Sequence, residues 1–351
     1  MPVGTSLSGG LDSSAIVYFI DKIKKSNQVQ KTFSARFKNF KLDEGEFMQE
    51  MIKQLNIDPY FVWLNIENFV NDLDKAIYHQ EEPFGSTSII ASFSVYRLAK
   101  EHGVTVLMDG QGADELLGGY WMFFWSYFKE LLVKNPKKYK EEAQAFKSLH
   151  QTNFFQQGLP FYFEAYFPGT RTSMGQKLKQ FFPRYSPVLK DLNKDFANTF
   201  KSIPSPHTQF SDLNESLKYS TSVWGLEEIL RCVDRNSMAF SREIRLPFLS
   251  HELIDYLFTL PSGMKIKNGW TKYIFRKVME NKIPDKITWR TDKVAYSPPQ
   301  NRWMKDPRIK EIVHDCRDFL TKEKILNSGA NNKVITDWQL ITVGKFLQNN
   351  N

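Results

Sequence analysis

Apolar positions along the first third of the chain switch repeatedly between a buried-strand pattern and a helical one. Pro2 to Leu7 is a short apolar run, and Ala15-Ile16-Val17-Tyr18-Phe19-Ile20 follows a glycine turn as a helix. Lys31-Thr32-Phe33-Ser34-Ala35-Arg36-Phe37 is rich in β-forming residues, while Asp43 to Asn56 carries Phe47, Met51, Ile52 and Leu55 at helical spacing. Tyr60-Phe61-Val62-Trp63-Leu64 reads as a third strand, Ser88 to His102 as a helix, and Val104-Thr105-Val106-Leu107-Met108 as a buried strand. This alternation predicts an α/β fold, a parallel sheet flanked by helices, with ligands beyond the carboxyl ends of the strands.

The later pattern is helical. Trp121-Met122-Phe123-Phe124-Trp125 and Phe161-Tyr162-Phe163-Glu164-Ala165-Tyr166-Phe167 are short aromatic runs separated by many lysines, which suits core filling among helices better than membrane contact. From Leu226 to Phe240, Leu226, Ile229, Leu230 and Val233 form an apolar stripe. It leaves Arg231, Asp234 and Arg235 as either substrate contacts or an ion-pair lattice. The expected division is a nucleotide-binding core over 1–120, an aromatic-rich helical insertion over 121–220, and a helical part over 221–351 that completes the site.

Two glycine turns interrupt this pattern at strand ends. The first, Ser6-Leu7-Ser8-Gly9-Gly10-Leu11-Asp12-Ser13-Ser14, has the makings of a phosphate cradle. Adjacent glycines let the backbone approach an anion, the helix supplies free N–H groups, the serines add donors, and Asp12 is a ligand for magnesium. A structural reading competes, because any strand-to-helix turn takes Gly-Gly and an Asp or Ser cap. The second turn is Asp109-Gly110-Gln111-Gly112-Ala113-Asp114-Glu115-Leu116-Leu117-Gly118-Gly119. Its carboxylates face the same crevice, so Asp12 and Asp114 are expected to share a magnesium pyrophosphate, with Ala35 beside the adenosine; a helix cap by Asp109 is the bland alternative. Asp43 and Glu44 are expected to open a helix, where acids favour the dipole.

Composition narrows the field. At 351 residues, 41% hydrophobic and 15% aromatic, the chain fills a substantial core, and no apolar run is long enough to span a bilayer. A cytoplasmic enzyme is expected. Cys232 and Cys316 make no disulfide framework or zinc cluster. The net charge of +8 divides into −5 over residues 1–120 and +13 over 121–351. No dense basic cluster interleaved with aromatics accompanies it, so nucleic acid is not the expected partner.

Ser8-Gly9-Gly10-Leu11-Asp12-Ser13-Ser14 resembles the pyrophosphate loop of enzymes that cleave ATP between its α and β phosphates. With Glu82-Pro83, the second turn, Leu230-Arg231-Cys232-Val233-Asp234-Arg235-Asn236-Ser237-Met238-Ala239 and Glu243-Ile244-Arg245-Leu246-Pro247-Phe248-Leu249, the likeness narrows. Leu260-Pro261, Lys265, Gly269-Trp270-Thr271-Lys272 and Arg290-Thr291-Asp292-Lys293, with Pro299 and Trp303, continue it. Together they resemble the synthetase domain of glutamine-dependent asparagine synthetase, most weakly from 121 to 220.

That resemblance implies ATP and Mg2+ as cosubstrate and cofactor, adenylation of aspartate, and ammonia as the second substrate. It implies Lys293 as the cation at the reacting centre, with Gln111 and Glu243 as further catalytic candidates. Gln111 departs from the family's usual glutamate and cannot act as a base at neutral pH. Deprotonation then falls to water, Glu243 or a phosphate oxygen, or the acceptor is a different carboxylate. Ala295 and Tyr296 stand where glycine and phenylalanine are more usual. Full-length members open with a glutaminase domain whose first mature residue is a nucleophilic cysteine. Residue 2 is proline, so a glutaminase is expected to be missing or supplied in trans, the chain being a fragment. A homodimer is compatible with this reading. A tRNA-acting loop relative and an ATP-binding protein without turnover are the alternatives.

Overall fold

The computed structural model describes residues 3–25, 27–152, 191–199, 210, 212–292, 297–327 and 335–350. Five strands, β1 (Val3–Ser6), β2 (Gln30–Arg36), β3 (Ile57–Trp63), β4 (Val106–Met108) and β5 (Glu243–Arg245), form one parallel sheet in the order β3-β2-β1-β4-β5. β1 is central, with Thr5 opposite Thr32 on one flank and Met108 on the other. The chain steps outward from β1 through α1 (Leu11–Ile23) and α2 (Gly45–Gln54), then crosses back through α3 (Ile66–Gln80) and α4 (Ser88–Glu101) to β4. Strand order therefore reverses between β1 and β4. A parallel sheet opens its ligand crevice at such a reversal, beyond the strand carboxyl ends.

Right-handed crossovers running in opposite directions place the two helix pairs on opposite faces. The residues bear this out. On one face, α1 and α2 bury Leu11, Val17, Phe47, Met48 and Met51 with Met279, Ile283 and Ile287. The other face packs Phe69, Leu73, Phe93 and Tyr96 against Cys232, Val233, Trp303 and Trp338. Trp338 Nε1 donates to the Phe84 carbonyl at 3.0 Å, tying the last helix to the loop before α4.

The acids before α2 are structural, as expected. Asp43 accepts from the N–H groups of Phe37 (2.8 Å) and Gly45 (3.2 Å) and pairs with Arg36. Two local expectations are corrected. Leu230 is only half-buried, because the buried face of helix Leu226–Met238 runs through Leu226, Cys232, Val233, Asn236 and Ser237. Asn236 accepts from Gln80 Nε2 at 2.8 Å and donates to the Ile89 carbonyl at 2.7 Å, so this face is specified by polar contacts as well. The Glu243 to Leu249 turn also contains β5, which extends the sheet as a fifth strand.

After β4 come the short α5 (Ala113–Leu117), α6 (Phe123–Lys134) and α7 (Pro136–His150). Phe123, Phe124, Tyr127, Phe128 and Phe146 fill a separate apolar cluster with Leu213, Leu217 and Ile266. The aromatic run Phe161–Phe167 lies outside the described residues. Among the described residues, no helix is long and apolar enough to cross a membrane.

Candidate active site

The loop after β1 is held by its own hydroxyls. Ser8 N donates to Ser13 Oγ at 3.2 Å, the two serine hydroxyls are 3.0 Å apart, and Ser13 Oγ donates to the Gly10 carbonyl at 3.2 Å. Gly10 N donates to Ser8 Oγ at 3.3 Å. Gly9 has φ +77°, and a Cβ there would sit 2.9 Å from Phe47 Cβ and 3.2 Å from the Glu44 carbonyl, so α2 presses directly on the loop. Gly10 caps α1 without a side-chain hydrogen bond, which leaves first-turn N–H groups for an anion. The buried Ser14 hydroxyl has no hydrogen-bond partner among the described residues. Ser6 ends β1, Ser34 Oγ donates to the Leu7 carbonyl at 2.6 Å, and buried Ala35 follows on β2.

The loop after β4 is held by carboxylates and by glycines at positive φ. Gly110 N donates to Asp109 Oδ1 at 2.6 Å, and the Tyr96 hydroxyl lies 3.4 Å from Oδ2. Burial keeps Asp109 above the usual carboxylate range, and the Gly110 N–H partly opposes it. The cap of α5 is Gly112 at φ +91°, not Asp109, and a Cβ there would overlap Leu249 Cδ2. Glu115 is also raised, chiefly by burial, and accepts the Tyr120 hydroxyl at 2.6 Å.

Both loops end on one lysine. Lys272 Nζ lies 2.8 and 2.7 Å from the two Asp12 oxygens and 2.6 Å from Asp114 Oδ1. Its side chain is 4% exposed, against 8% for Asp12 and 24% for Asp114. Lys272 has left-handed backbone, φ +52°, where it precedes helix Tyr273–Met279. A Cβ on Gly119 would overlap Asp114 Oδ1 and Lys272 Cε, so glycine is required for this close approach. Arg276 stands behind the cluster, donating to the carbonyls of Thr271 (2.8 Å) and Thr288 (2.6 Å). Burial pushes its guanidinium down to about 10, while Asp12 and Asp114 favour its charge.

The expected residues fall into three groups. Asp12 and Asp114 meet at Lys272, and Gly110 packs against the first loop: a Cβ there would lie 3.0 Å from Asp12 Cβ and 3.3 Å from Ser13 N. Gln111 is half-buried in the turn between Asp109 and α5. Glu243 sits apart, exposed on edge strand β5 opposite Val106 and paired with Arg245 at 2.7 Å. Lys293, Ala295 and Tyr296 lie outside the described residues. Arg290, three positions before Lys293, is described: it pairs with buried Glu44 at 2.7 Å and covers the Phe47 ring at 3.7 Å, beside a cleft of about 350 Å³. The arginines of Leu226–Met238 form a lattice. Arg231 donates to the Gln80 carbonyl and lies 3.3 Å from Glu82, and Arg235 pairs with Glu81 at 3.0 Å.

Lys272 and Arg276 are the functional candidates that sequence reasoning did not assign. Gly269-Trp270-Thr271-Lys272 marks the stretch, but nothing local tells which carboxylates the lysine meets. Among the described residues there is no cluster of three or more metal-ligating side chains. Two carboxylates converging on one cation nonetheless suit magnesium, which uses one or two protein carboxylates and completes its shell with water and phosphate oxygens.

A parallel sheet whose two glycine loops converge at the strand reversal defines an α/β protein of the pyrophosphate-loop class. The family model described as asparagine synthase matches residues 1–345, and the chain belongs to that family. It is 29% identical over 341 residues to asparagine synthetase [glutamine-hydrolyzing] 1 of Bacillus subtilis (strain 168), covering 93% of this chain and 52% of that protein. It is 25% identical to the Homo sapiens asparagine synthetase [glutamine-hydrolyzing], covering 86% of this chain and 41% of that one. Amidase chyE of Penicillium rubens is 23% identical, covering 96% and 54%. The chain thus spans about half the length of the curated relatives it matches.

Proposed function

We propose that this chain is the ATP-cleaving part of an asparagine synthetase, adenylating the side-chain carboxylate of aspartate and passing the activated acyl group to ammonia. The meeting of Asp12 and Asp114 at Lys272 carries this reading. An aspartate oxygen attacks the α phosphorus of ATP, and the bond to the bridging oxygen breaks as pyrophosphate leaves with the electron pair. Ammonia then attacks the acyl carbon of β-aspartyl-AMP, AMP departs, and loss of a proton gives asparagine.

The protein's work here is positioning and charge neutralisation. Backbone amides of Gly9, Gly10 and the α1 start cradle phosphate, and Ala35, Asp109 and Gly110 line the adenosine. Asp12 and Asp114 hold magnesium, which when bound neutralises phosphate oxygens. Lys272 meets the pyrophosphate, and Lys293 takes the charge at the reacting centre. Gln111 orients the acceptor through its amide, so the released proton goes to water or the AMP phosphate. Ammonia comes from a glutaminase, as the names of the glutamine-hydrolysing relatives imply.

Gln111 also favours a second reading, in which the same chemistry serves another carboxylate. One assay separates the two: pyrophosphate release from ATP and magnesium with L-aspartate, with and without ammonium, products followed by mass. AMP, pyrophosphate and asparagine in equal amounts are expected. Pyrophosphate with another carboxylate only would move the acceptor, and ATP binding without turnover would overturn the reading.

A further inference from the structure

The lysine between the two carboxylates bears on how metal enters the site. We propose that Lys272 is the resident counter-cation of the Asp12–Asp114 pair and makes metal binding conditional on nucleotide. A divalent cation alone is refused; it enters with a polyphosphate that takes over the ammonium. The inference rests on the reading of Asp12 and Asp114 as metal ligands.

Three observations carry it. The ammonium occupies three of the oxygens the metal needs, both of Asp12 and one of Asp114, at 2.6 to 2.8 Å. Magnesium requires such oxygens at about 2.0–2.1 Å, so the two cations compete for the same lone pairs. Among the described residues, the two carboxylates face two cations, Lys272 and the buried guanidinium of Arg276, whose charge both carboxylates favour. A bare divalent ion would leave an uncompensated double positive charge in a site where Lys272 and Asp12 are almost fully buried, which a low dielectric penalises heavily. A nucleotide polyphosphate removes that penalty and gives the flexible lysine stem a new anion. The neighbouring acids are engaged elsewhere, Glu115 with the Tyr120 hydroxyl and Asp109 with the Gly110 N–H.

The backbone is also shaped around the lysine. Lys272 holds a left-handed conformation that a non-glycine residue adopts only under constraint. Its N–H donates to the Leu117 carbonyl at 3.3 Å, and its carbonyl accepts from Arg276 N at 2.9 Å. Gly119 leaves the space through which its stem passes.

The test uses Mn2+ as the probe, read by water-proton relaxation enhancement, which rises when the ion sits on a macromolecule. Without nucleotide, the wild-type chain should bind Mn2+ at this site at least about tenfold more weakly than Lys272→Met does. Adding Asp114→Asn to Lys272→Met should remove that binding. With α,β-methylene-ATP, which cannot be cleaved at the α–β bond, the wild type should show enhancement. Nucleotide-free wild type binding Mn2+ as tightly as a folded Lys272→Met would overturn the proposal. So would a folded Lys272→Met that binds none while the wild type binds with the analogue. No enhancement in any protein, even with the analogue, would instead remove Asp12 and Asp114 as metal ligands and the inference with them. If Lys272→Met does not fold, the wild-type titrations with and without analogue decide alone.

Discussion

The loop after β1 and the loop after β4 reach the same lysine by different means. The first is a closed ring of hydroxyl and backbone hydrogen bonds, clamped from outside by Phe47 and the Glu44 carbonyl. The second is shaped by positive-φ glycines and carries buried acids, Asp109 and Glu115, that burial pushes away from their charged forms. One loop is a preformed cradle whose fit is a matter of backbone sterics. The other is a charged arm whose energy depends on protons, cations and ligand. The proposed binding of a highly charged phosphate would need both, since rigid donors alone do not balance charge and carboxylates alone do not fix geometry.

This difference predicts a ranking of substitutions. Gly9→Ala should cost the most stability, about 3 kcal/mol, because positive φ combines with approach to backbone atoms of α2 that cannot yield. Gly112→Ala has the same backbone problem, but its Cβ meets only the flexible Leu249 side chain, so about 2 kcal/mol is expected. Urea unfolding midpoints order the two, and a larger loss at Gly112 would break the comparison.

The smallest effect is one of pH. Burial raises Asp109 in the folded state, so the unfolded chain ionises first as pH climbs past its ordinary 3.8, and wild-type stability falls through that window. Asp109→Asn removes the titration while retaining an acceptor for the Gly110 N–H. Its stability relative to wild type should be level below that pH and grow above it. A gain that instead shrinks with rising pH would show that Asp109 is stabilised as the carboxylate.

How much of this was legible in the chain differs by region for physical reasons. The loop after β1 is contiguous, and its strand, glycines and helix follow one another within a dozen residues, so periodicity and turn chemistry locate it. The loop after β4 is equally local. Lys272 is not: its partners lie at positions 12 and 114, and the left-handed backbone that aims it leaves no mark on a lysine. β5 escaped because three residues with charged ends, Glu243-Ile244-Arg245, carry no strand pattern until β4 offers an edge. The choice between substrate contacts and a lattice for Arg231 and Arg235 depended on Glu81, whose left-handed turn sets the end of α3 beside that helix. Those pairs are largely exposed on the acid side and contribute little to stability.

Asp12 and Asp114, one from each loop, are proposed to act as a unit on one pyrophosphate. Pyrophosphate release by Asp12→Asn, Asp114→Asn and the double variant, under the conditions that give wild-type turnover, tests it most directly. Groups that act together are strongly non-additive, so each single change should lower release by about a thousandfold and the double variant little further. Losses that multiply, or near-normal release from either single variant, would contradict the account.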